Sequence, residues 1–420
     1  MKELGVFYCG FGHRWQVGTL ADNGSEILFE YAAAALERGV QLSPLRLPLR
    51  QAAYPDQPGS YKALHGVPGL VYDSLPDGWG FRLLHRRAMA RGLNPGGFSA
   101  LDWLAALGEN TMGALTYEPS KADLHSTQSL ALHELAHEVQ ALECDEGYTV
   151  LAELARAGGS PGGARPKALM YLMPSQQGVG APSMYTRAKH LPEEEAWLVK
   201  FAGADDAPES CVVEEWYARL ARMAGLNMCE TKLFELPGGR WAFGTRRFDR
   251  RGTQRVHVHT LAGLLHANFQ VPSVSYEDFL RATRILTRDH REVVKALQIG
   301  VFNVLMNNRD DHAKNLSFLQ EVDGRWRLAP PYDLTWCPGY QGEHFMDWKG
   351  EGRAPGRKHV LAVAQAAGLP ASVAERALDD VLARVTPDEV VQQARLLPLP
   401  RVAIERVHQA VLTHHPRLRG

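Results

Sequence analysis

A polar loop between two apolar segments, at residues 303–315, constrains this chain more than any other stretch of its sequence. The loop reads NVLMNNRDDHAKN, and it lies between an apolar helix pattern and the apolar strand pattern LSFL at 316–319. Asparagine, aspartate, histidine and lysine side chains are costly to bury without partners, so this loop is poor material for a core. The pattern predicts that the helix and the strand present these side chains at a functional site.

The composition excludes several classes of protein. The chain has 420 residues, 45% hydrophobic and 22% charged, which is enough for two or three domains. Its 46 basic and 47 acidic residues give a net charge of -1, so no global field favours nucleic acid or an anionic membrane. No apolar run approaches the length of a membrane span, and MKEL does not begin a signal peptide. We therefore expect a cytoplasmic protein that does not contact membranes.

The cysteines indicate neither a disulfide framework nor a zinc site. There are five of them, an odd number, and no two form a C-x-x-C pair. They are predicted to be reduced, buried thiols.

The spacing of Asp310 and Asn315 is that of a phosphoryl-transfer loop. Protein kinases place a catalytic aspartate and a metal-binding asparagine in H-R-D-x-x-x-x-N, and Asp310 and Asn315 are likewise five positions apart. A carboxylate would lie beside the attacking hydroxyl, and an amide oxygen would bind magnesium. His312 and Lys314 could contact phosphate. On spacing alone, polar side chains that merely cap the end of a helix explain the pattern better.

Asp333 favours the catalytic interpretation. A hairpin pattern around residues 322–324 separates it from Asn315, and a hairpin returns the chain close to its start. Kinases likewise follow the catalytic loop with two strands and a metal-binding aspartate in D-F-G. Here the sequence is Tyr-Asp-Leu, and an ordinary turn aspartate after two prolines is the alternative.

A glycine-rich loop and a lysine in an apolar strand precede this region. Residues 158–167, GGSPGGARPK, end at Lys167 just before an apolar strand, and Ser160 is a possible phosphoacceptor within them. Lys200 lies in the strand AWLVKF, as the phosphate-binding lysine of kinases does, and Glu214 or Glu215 in the next helix could pair with it. A surface loop and an outward-facing lysine on an edge strand remain the alternatives.

The segment RFDR at 247–250 closes the hairpin expected to link two lobes. Phe248 could line an adenine pocket, or Arg247 and Asp249 could simply pair across a turn. The residues themselves do not separate these interpretations.

Taken together, these segments resemble the HipA family of serine/threonine kinases, the toxins of toxin–antitoxin pairs. The similar motifs are SPGGARPK at 160–167, RFDR at 247–250, NRDDHAKN at 308–315 and PYDL at 331–334. Upstream, SLPDGWG at 74–80 and GAL at 113–115 resemble the small N-terminal subdomain of that family. The resemblance covers nearly the whole chain.

The resemblance implies a role for each matching position. Asp310 would be the catalytic base, Asn315 and Asp333 would bind Mg²⁺, and Ser160 would be an inhibitory autophosphorylation site. Glu214 would support the strand lysine. A further set would bind ATP: Gly162, Gly163, Ala164, Arg165, Pro166, Lys167, Lys200, Arg246, Arg247, Phe248, His312, Lys314 and Tyr332.

The predicted fold is α+β, with a protein-kinase-like core, a helical C-lobe and a small N-terminal α/β subdomain. The expected domains are 1–115 for the subdomain, 116–245 for the N-lobe with its glycine-rich loop, and 246–420 for the C-lobe. The implied activity transfers the ATP γ-phosphate to a serine of a protein target such as an aminoacyl-tRNA synthetase, which halts translation and growth.

The implied partner is a small HipB-like DNA-binding antitoxin, so this chain would reach DNA only indirectly. Two alternatives come from other classes of function. One is a catalytically weak binding module that acts as a corepressor with the antitoxin, and the other is a small-molecule phosphotransferase.

Overall fold

The computed structural model describes the chain except residues 56–60, 122–127, 145–150, 160–161, 175–182 and 188. The described residues form two compact units. Unit 1 comprises Met1–Cys211 and Glu230–His259, and unit 2 comprises Val212–Cys229 and Thr260–Gly420.

Unit 1 begins with a four-stranded antiparallel sheet in the order β3-β2-β1-β4. Short helices lie between β3 and β4 in the chain. Trp15, Val17 and Leu20 are buried side chains of its second strand, as expected for a sheet with one face on a core. The elements of this region are β1 (Lys2–Tyr8), β2 (Trp15–Asp22), β3 (Ile27–Tyr31), α1 (Ala33–Arg38), α2 (Gly69–Tyr72), α3 (Gly78–Ala90), α4 (Ala100–Leu107) and β4 (Leu115–Glu118).

A five-stranded antiparallel sheet forms the rest of unit 1, in the order β6-β5-β7-β9-β8. Trp79 and Trp197 are fully buried in the core cluster that this sheet shares with helices. The elements are α5 (Leu132–Cys144), α6 (Ala152–Gly158), β5 (Lys167–Met173), β6 (Ser183–Tyr185), β7 (Glu195–Phe201), β8 (Thr231–Leu236), β9 (Arg240–Arg246), β10 (Arg250–Arg251), β11 (Gln254–Arg255) and β12 (His257–Thr260). Helix α7 (Ser210–Met223) follows β7 in the chain and belongs to unit 2 from Val212 onward.

Buried charges join the two regions of unit 1. Arg247 donates two hydrogen bonds to the carboxylate of Asp249, at 2.8 and 2.7 Å, and the N–H of Gly113 donates to the same carboxylate at 2.8 Å. Arg255 donates to the carbonyl oxygens of Thr111 and Gly113, both at 2.8 Å. Burial opposes ionisation of Asp249, but Arg247 beside it holds the pKa of this carboxyl below its usual range.

Unit 2 is mostly helical. Helix α10 lies at its centre and is followed by the hairpin predicted from the sequence, in which Phe318 pairs with Leu328. The elements are α8 (Leu261–Leu265), α9 (Tyr276–Thr287), α10 (His290–Leu305), β13 (Ser317–Gln320), β14 (Trp326–Leu328), α11 (Arg357–Ala366), α12 (Ala371–Arg384), α13 (Pro387–Ala394) and α14 (Arg401–Arg419). None of the helices in the described part of the chain is both long and apolar enough to cross a bilayer.

The start of α10 differs from the pattern in the sequence. Asp289 followed by Glu292 predicts a reciprocal capping box. Asp289 does accept the N–H of Arg291 at 2.9 Å, but Glu292 accepts the N–H of Leu328 at 2.8 Å and the ammonium of Lys295 at 2.6 Å. The predicted box is therefore wrong, because a hairpin strand uses the carboxylate of Glu292.

Gly300 of α10 is predicted to be a packing requirement. A Cβ at this position would lie 2.7 Å from ring atoms of both Trp348 and Tyr276. Because the two rings stack on each other, with centroids 4.2 Å apart, neither can move aside easily. Gly300→Ala should lower the free energy of unfolding by about 1–3 kcal/mol, measured by urea denaturation.

The matched control is Gly97→Ala. A Cβ there would meet no atom within 4 Å, and the residue does not adopt a positive φ. Equal urea midpoints for the two variants would contradict the packing argument.

Candidate active site

Asparagine side chains fix the loop that follows α10. Nδ2 of Asn308 donates to Oδ1 of Asn303 at 3.0 Å, and Nδ2 of Asn303 donates to the hydroxyl oxygen of Tyr276 at 3.0 Å. The N–H of Asn308 also donates to the carbonyl oxygen of Asn303 at 2.9 Å. Both asparagines are buried, so the hydrogen bonds compensate much of the cost of withdrawing these amides from water.

The carboxylate of Asp311 is the centre of this network. It lies 2.7 Å from the hydroxyl of Tyr276, 2.8 Å from Nδ1 of His344 and 2.8 Å from the N–H of Phe345. Asp311 is 1% exposed, so these donors take the place of water around its carboxylate. Burial, and then the adjacent Asp311, raise the pKa of Tyr276 well above its ordinary value, which keeps its hydroxyl a donor.

The adjacent carboxylate, that of Asp310, is open to solvent. Its side chain is 55% exposed, and Nε2 of His312 lies 3.8 Å from its Oδ1. The amide nitrogen of Asn315 donates to the carbonyl oxygen of Asp310 at 2.9 Å and closes the loop. The loop thus holds one carboxylate inside and presents the other outside, with the carboxamide of Asn315 beside it.

The hairpin returns the chain to this loop, as predicted. The hydroxyl of Tyr332 donates to the carbonyl oxygen of Lys314 at 2.7 Å and lies 2.6 Å from Oγ of Ser317. The contact joins the residue before Asp333 to the residue before Asn315. Asp333 has a φ of 57°, a left-handed conformation that is uncommon outside glycine and is found disproportionately at functional sites.

Aromatic rings pack around His312 and Lys314. The ring of His312 lies between Phe269, with centroids 5.2 Å apart, and Phe345, with centroids 5.7 Å apart. The ammonium of Lys314 lies 4.8 Å from the centroid of Phe269. Within the described residues, Nδ1 of His312 is buried without a hydrogen-bond partner. Both side chains are thus held in place by aromatic rings that pack against the loop.

In unit 1, two lysines lie opposite each other in adjacent strands. The register of β5 and β7 pairs Lys167 with Lys200, so both side chains point to the same face of the sheet. Lys167 is 3% exposed and Lys200 is 4% exposed. The edge-strand interpretation of Lys200 is wrong, because β7 lies between β5 and β9.

The glycine-rich loop leads directly into Lys167. The ammonium of Lys167 donates to the carbonyl oxygen of Gly162 at 2.5 Å, and Gly163 has a φ of 102°, which disfavours any side chain there. Arg165 forms an ion pair with Asp206 at 3.2 Å. Ser160 lies outside the described residues.

In the RFDR segment, the guanidinium of Arg247 is buried and pairs with Asp249, as the structural interpretation of this segment predicted. Arg246 is exposed and forms ion pairs with Glu195 at 3.4 Å and Glu230 at 3.9 Å. Contact of this segment with adenine stays a prediction.

Family comparisons agree with these motifs. A model described as the HipA N-terminal domain matches residues 11–118, and one described as the HipA-like C-terminal domain matches residues 159–388. The chain belongs to the HipA family. The resemblance inferred from the motifs is confirmed.

A solved HipA structure shares the fold of this chain. The Shewanella oneidensis MR-1 toxin–antitoxin complex of HipA, HipB and operator DNA contains a chain that is 20% identical, with a TM-score of 0.71. The alignment covers 99% of this chain and 97% of that one, and it confirms the predicted α+β fold class. The Helicobacter pylori proinflammatory kinase CtkA is 14% identical, with a TM-score of 0.43 over 59% of this chain and 92% of that one.

Helix α7 carries both Glu214 and Glu215, the two candidates that the sequence offered as partners of the strand lysine. Oε1 of Glu215 accepts Nε of Arg219 at 2.7 Å and lies 3.7 Å from a guanidinium nitrogen of Arg222. Oε2 of Glu215 is buried and has no hydrogen-bond partner among the described residues. Burial does not separate the two glutamates, since Glu214 is 4% exposed and Glu215 is 3% exposed.

Sequence reasoning assigned no role to the buried partners of the HipA loop. Asp311, Tyr276 and His344 fix the conformation that exposes Asp310. One local signal was present, because Asn303 is polar in an otherwise apolar helix, and a buried asparagine requires partners. Nothing local marked Tyr276 or His344.

Asp311→Asn should destabilise unit 2 and disorder the loop. The amide would present donors to groups that already donate, so a lowering of the free energy of unfolding by about 2–3 kcal/mol is expected in urea denaturation. Asp323→Asn is the control, since Asp323 is exposed on the hairpin and pairs with Arg325. An Asp311 variant as stable as the control would contradict this role for the buried carboxylate.

Proposed function

We propose that this HipA-family protein is an ATP-dependent protein kinase that acts as the toxin of a toxin–antitoxin pair. The observation that carries the proposal is the difference in environment between the adjacent residues Asp310 and Asp311. Asp311 is buried and hydrogen-bonded, whereas Asp310 is presented to solvent on a fixed loop closed by Asn315. A general base needs this combination of a rigid backbone and an accessible carboxylate.

The oxygen donors in unit 2 suit Mg²⁺. Asp310, Asn315 and Asp333 offer carboxylate and amide oxygens, the ligands this cation prefers. The amide nitrogen of Asn315 is committed to the loop, so its amide oxygen is the atom that would face a cation. Among the described residues, no three His, Cys, Asp or Glu side chains form a metal cluster. Bound Mg²⁺ would neutralise charge on the transferring phosphates.

The proposed step is in-line displacement on ATP. Asp310 accepts the proton of a serine or threonine hydroxyl as that oxygen bonds to the γ-phosphorus. The bond from the γ-phosphorus to the bridging oxygen breaks, and ADP leaves with that oxygen. Lys167 and Lys200, both buried in unit 1, would bind phosphates.

The proposed target is a protein, and the family resemblance suggests an aminoacyl-tRNA synthetase. The resemblance also suggests inhibitory autophosphorylation at Ser160. A small HipB-like antitoxin is the proposed partner, supported by the Shewanella complex of HipA, HipB and operator DNA. DNA would then be contacted by the antitoxin.

Asp310→Asn tests the proposal. Transfer of label from γ-labelled ATP to proteins of a cell lysate should fall at least about 100-fold, because the base is lost. Growth arrest on expression should disappear with it. The control Asp323→Asn removes an exposed carboxylate of the hairpin and should retain both effects.

Other outcomes would support other functions. Growth arrest that persists in Asp310→Asn would favour a binding module acting as a corepressor. Label that enters a small molecule and no protein band would indicate a small-molecule phosphotransferase. Phosphopeptide mass spectrometry of cells expressing wild type or Asp310→Asn would identify the target and test Ser160.

A further inference from the structure

The SLPDGWG motif at 74–80 lies against the glycine-rich loop of unit 1. Asp77 occupies the N-cap position of α3, yet its side chain makes no capping hydrogen bond to the helix. Its Oδ1 instead accepts the N–H of Gly163, a residue 86 positions away. N-cap aspartates ordinarily satisfy their own helix, so this carboxylate serves the loop instead.

Trp79 contacts the loop at two further points. Its backbone N–H donates to the carbonyl oxygen of Gly163 at 3.1 Å, and its indole Nε1 donates to the carbonyl oxygen of Lys167 at 2.8 Å. The ring is fully buried in the core cluster of unit 1. Residues 163 and 167 of the loop are therefore both hydrogen-bonded to Trp79, whose position is fixed by its packing in the core.

The glycines of the motif permit this close approach. A Cβ on Gly78 would lie 2.6 Å from Cα of Ala164, and a Cβ on Gly80 would collide with the carbonyl oxygen of Gly159. In both cases the obstacle is backbone, which has no rotamer to adopt. Any side chain at these positions would push the loop away.

We propose that Asp77 and Trp79 fix the conformation of the glycine-rich loop and thereby set its affinity for Mg-ATP. These two residues are called the clasp. This inference rests on the proposed function. Under the proposed function, phosphates would bind to backbone N–H groups of the loop and to Lys167. A loop already held in shape would lose less conformational freedom when ATP binds. Asp77 and Trp79 are positioning residues, since they contact the loop backbone.

The experiment measures Mg-ATP binding to the full chain by calorimetry and kcat by ADP release. Asp77→Ala removes the hydrogen bond from the N–H of Gly163, and Trp79→Phe removes the one to the carbonyl oxygen of Lys167, so the Kd should rise about three- to tenfold in each variant. The kcat at saturating ATP should be retained, because no group beside the reacting atoms changes. Asp77→Asn keeps an acceptor oxygen and should bind as wild type does.

Trp103→Phe is the matched control. Trp103 is another buried tryptophan of the N-terminal region, and its ring packs on Phe81 and Phe98. Its Kd for Mg-ATP should equal that of wild type. If Trp79→Phe unfolds, the comparison of Asp77→Ala with Asp77→Asn decides alone.

Three results would overturn the clasp. One is a Kd for Asp77→Ala equal to that of wild type, and another is tighter binding, which would mean that the carboxylate competes with phosphate. The third is wild type that binds no Mg-ATP, which would also end the proposed nucleotide function. If all Asp77 and Trp79 variants bind Mg-ATP with the wild-type Kd and Asp310→Asn is inactive, the clasp is wrong and the kinase proposal is retained.

Discussion

The buried carboxylate of Asp311 is the interaction on which the candidate site depends. A carboxylate withdrawn from water costs several kcal/mol unless donors replace its hydration, and here Tyr276, His344 and the N–H of Phe345 do so. Those donors come from separate segments of unit 2, so the loop has one conformation that satisfies all of them. The exposure of the Asp310 side chain follows from that conformation, because the neighbouring Asp311 is held by its hydrogen bonds.

Unit 1 keeps two like charges in a similarly fixed arrangement. Lys167 and Lys200 lie opposite each other in the sheet, where ammonium groups repel and burial raises their cost. Under the proposed function, a bound triphosphate would bring negative charge to both ammonium groups.

The predictable features were those encoded locally. The D-x4-N spacing, the hairpin after Asn315 and the apolar stripe of α10 depend on residues close in sequence, and the structure contains each of them. What could not be predicted depended on distant partners. The pair Asp310 and Asp311 looks symmetrical in sequence until His344, 33 positions away, takes one of the two. Glu292 likewise leaves its expected cap for an N–H of the hairpin.

The buried charges between the two regions of unit 1 bear on how this protein could be divided. Asp249 and Arg255 depend on Gly113 and on neighbouring carbonyl oxygens, all of which belong to the segment matched as the HipA N-terminal domain. A shortened gene product lacking that segment would leave Arg255 without these carbonyl oxygens, and Asp249 would keep Arg247 but lose the N–H of Gly113. The sheet that adjoins the N-terminal segment would therefore lose stability, and a split version of this protein would gain it back when its pieces recombine.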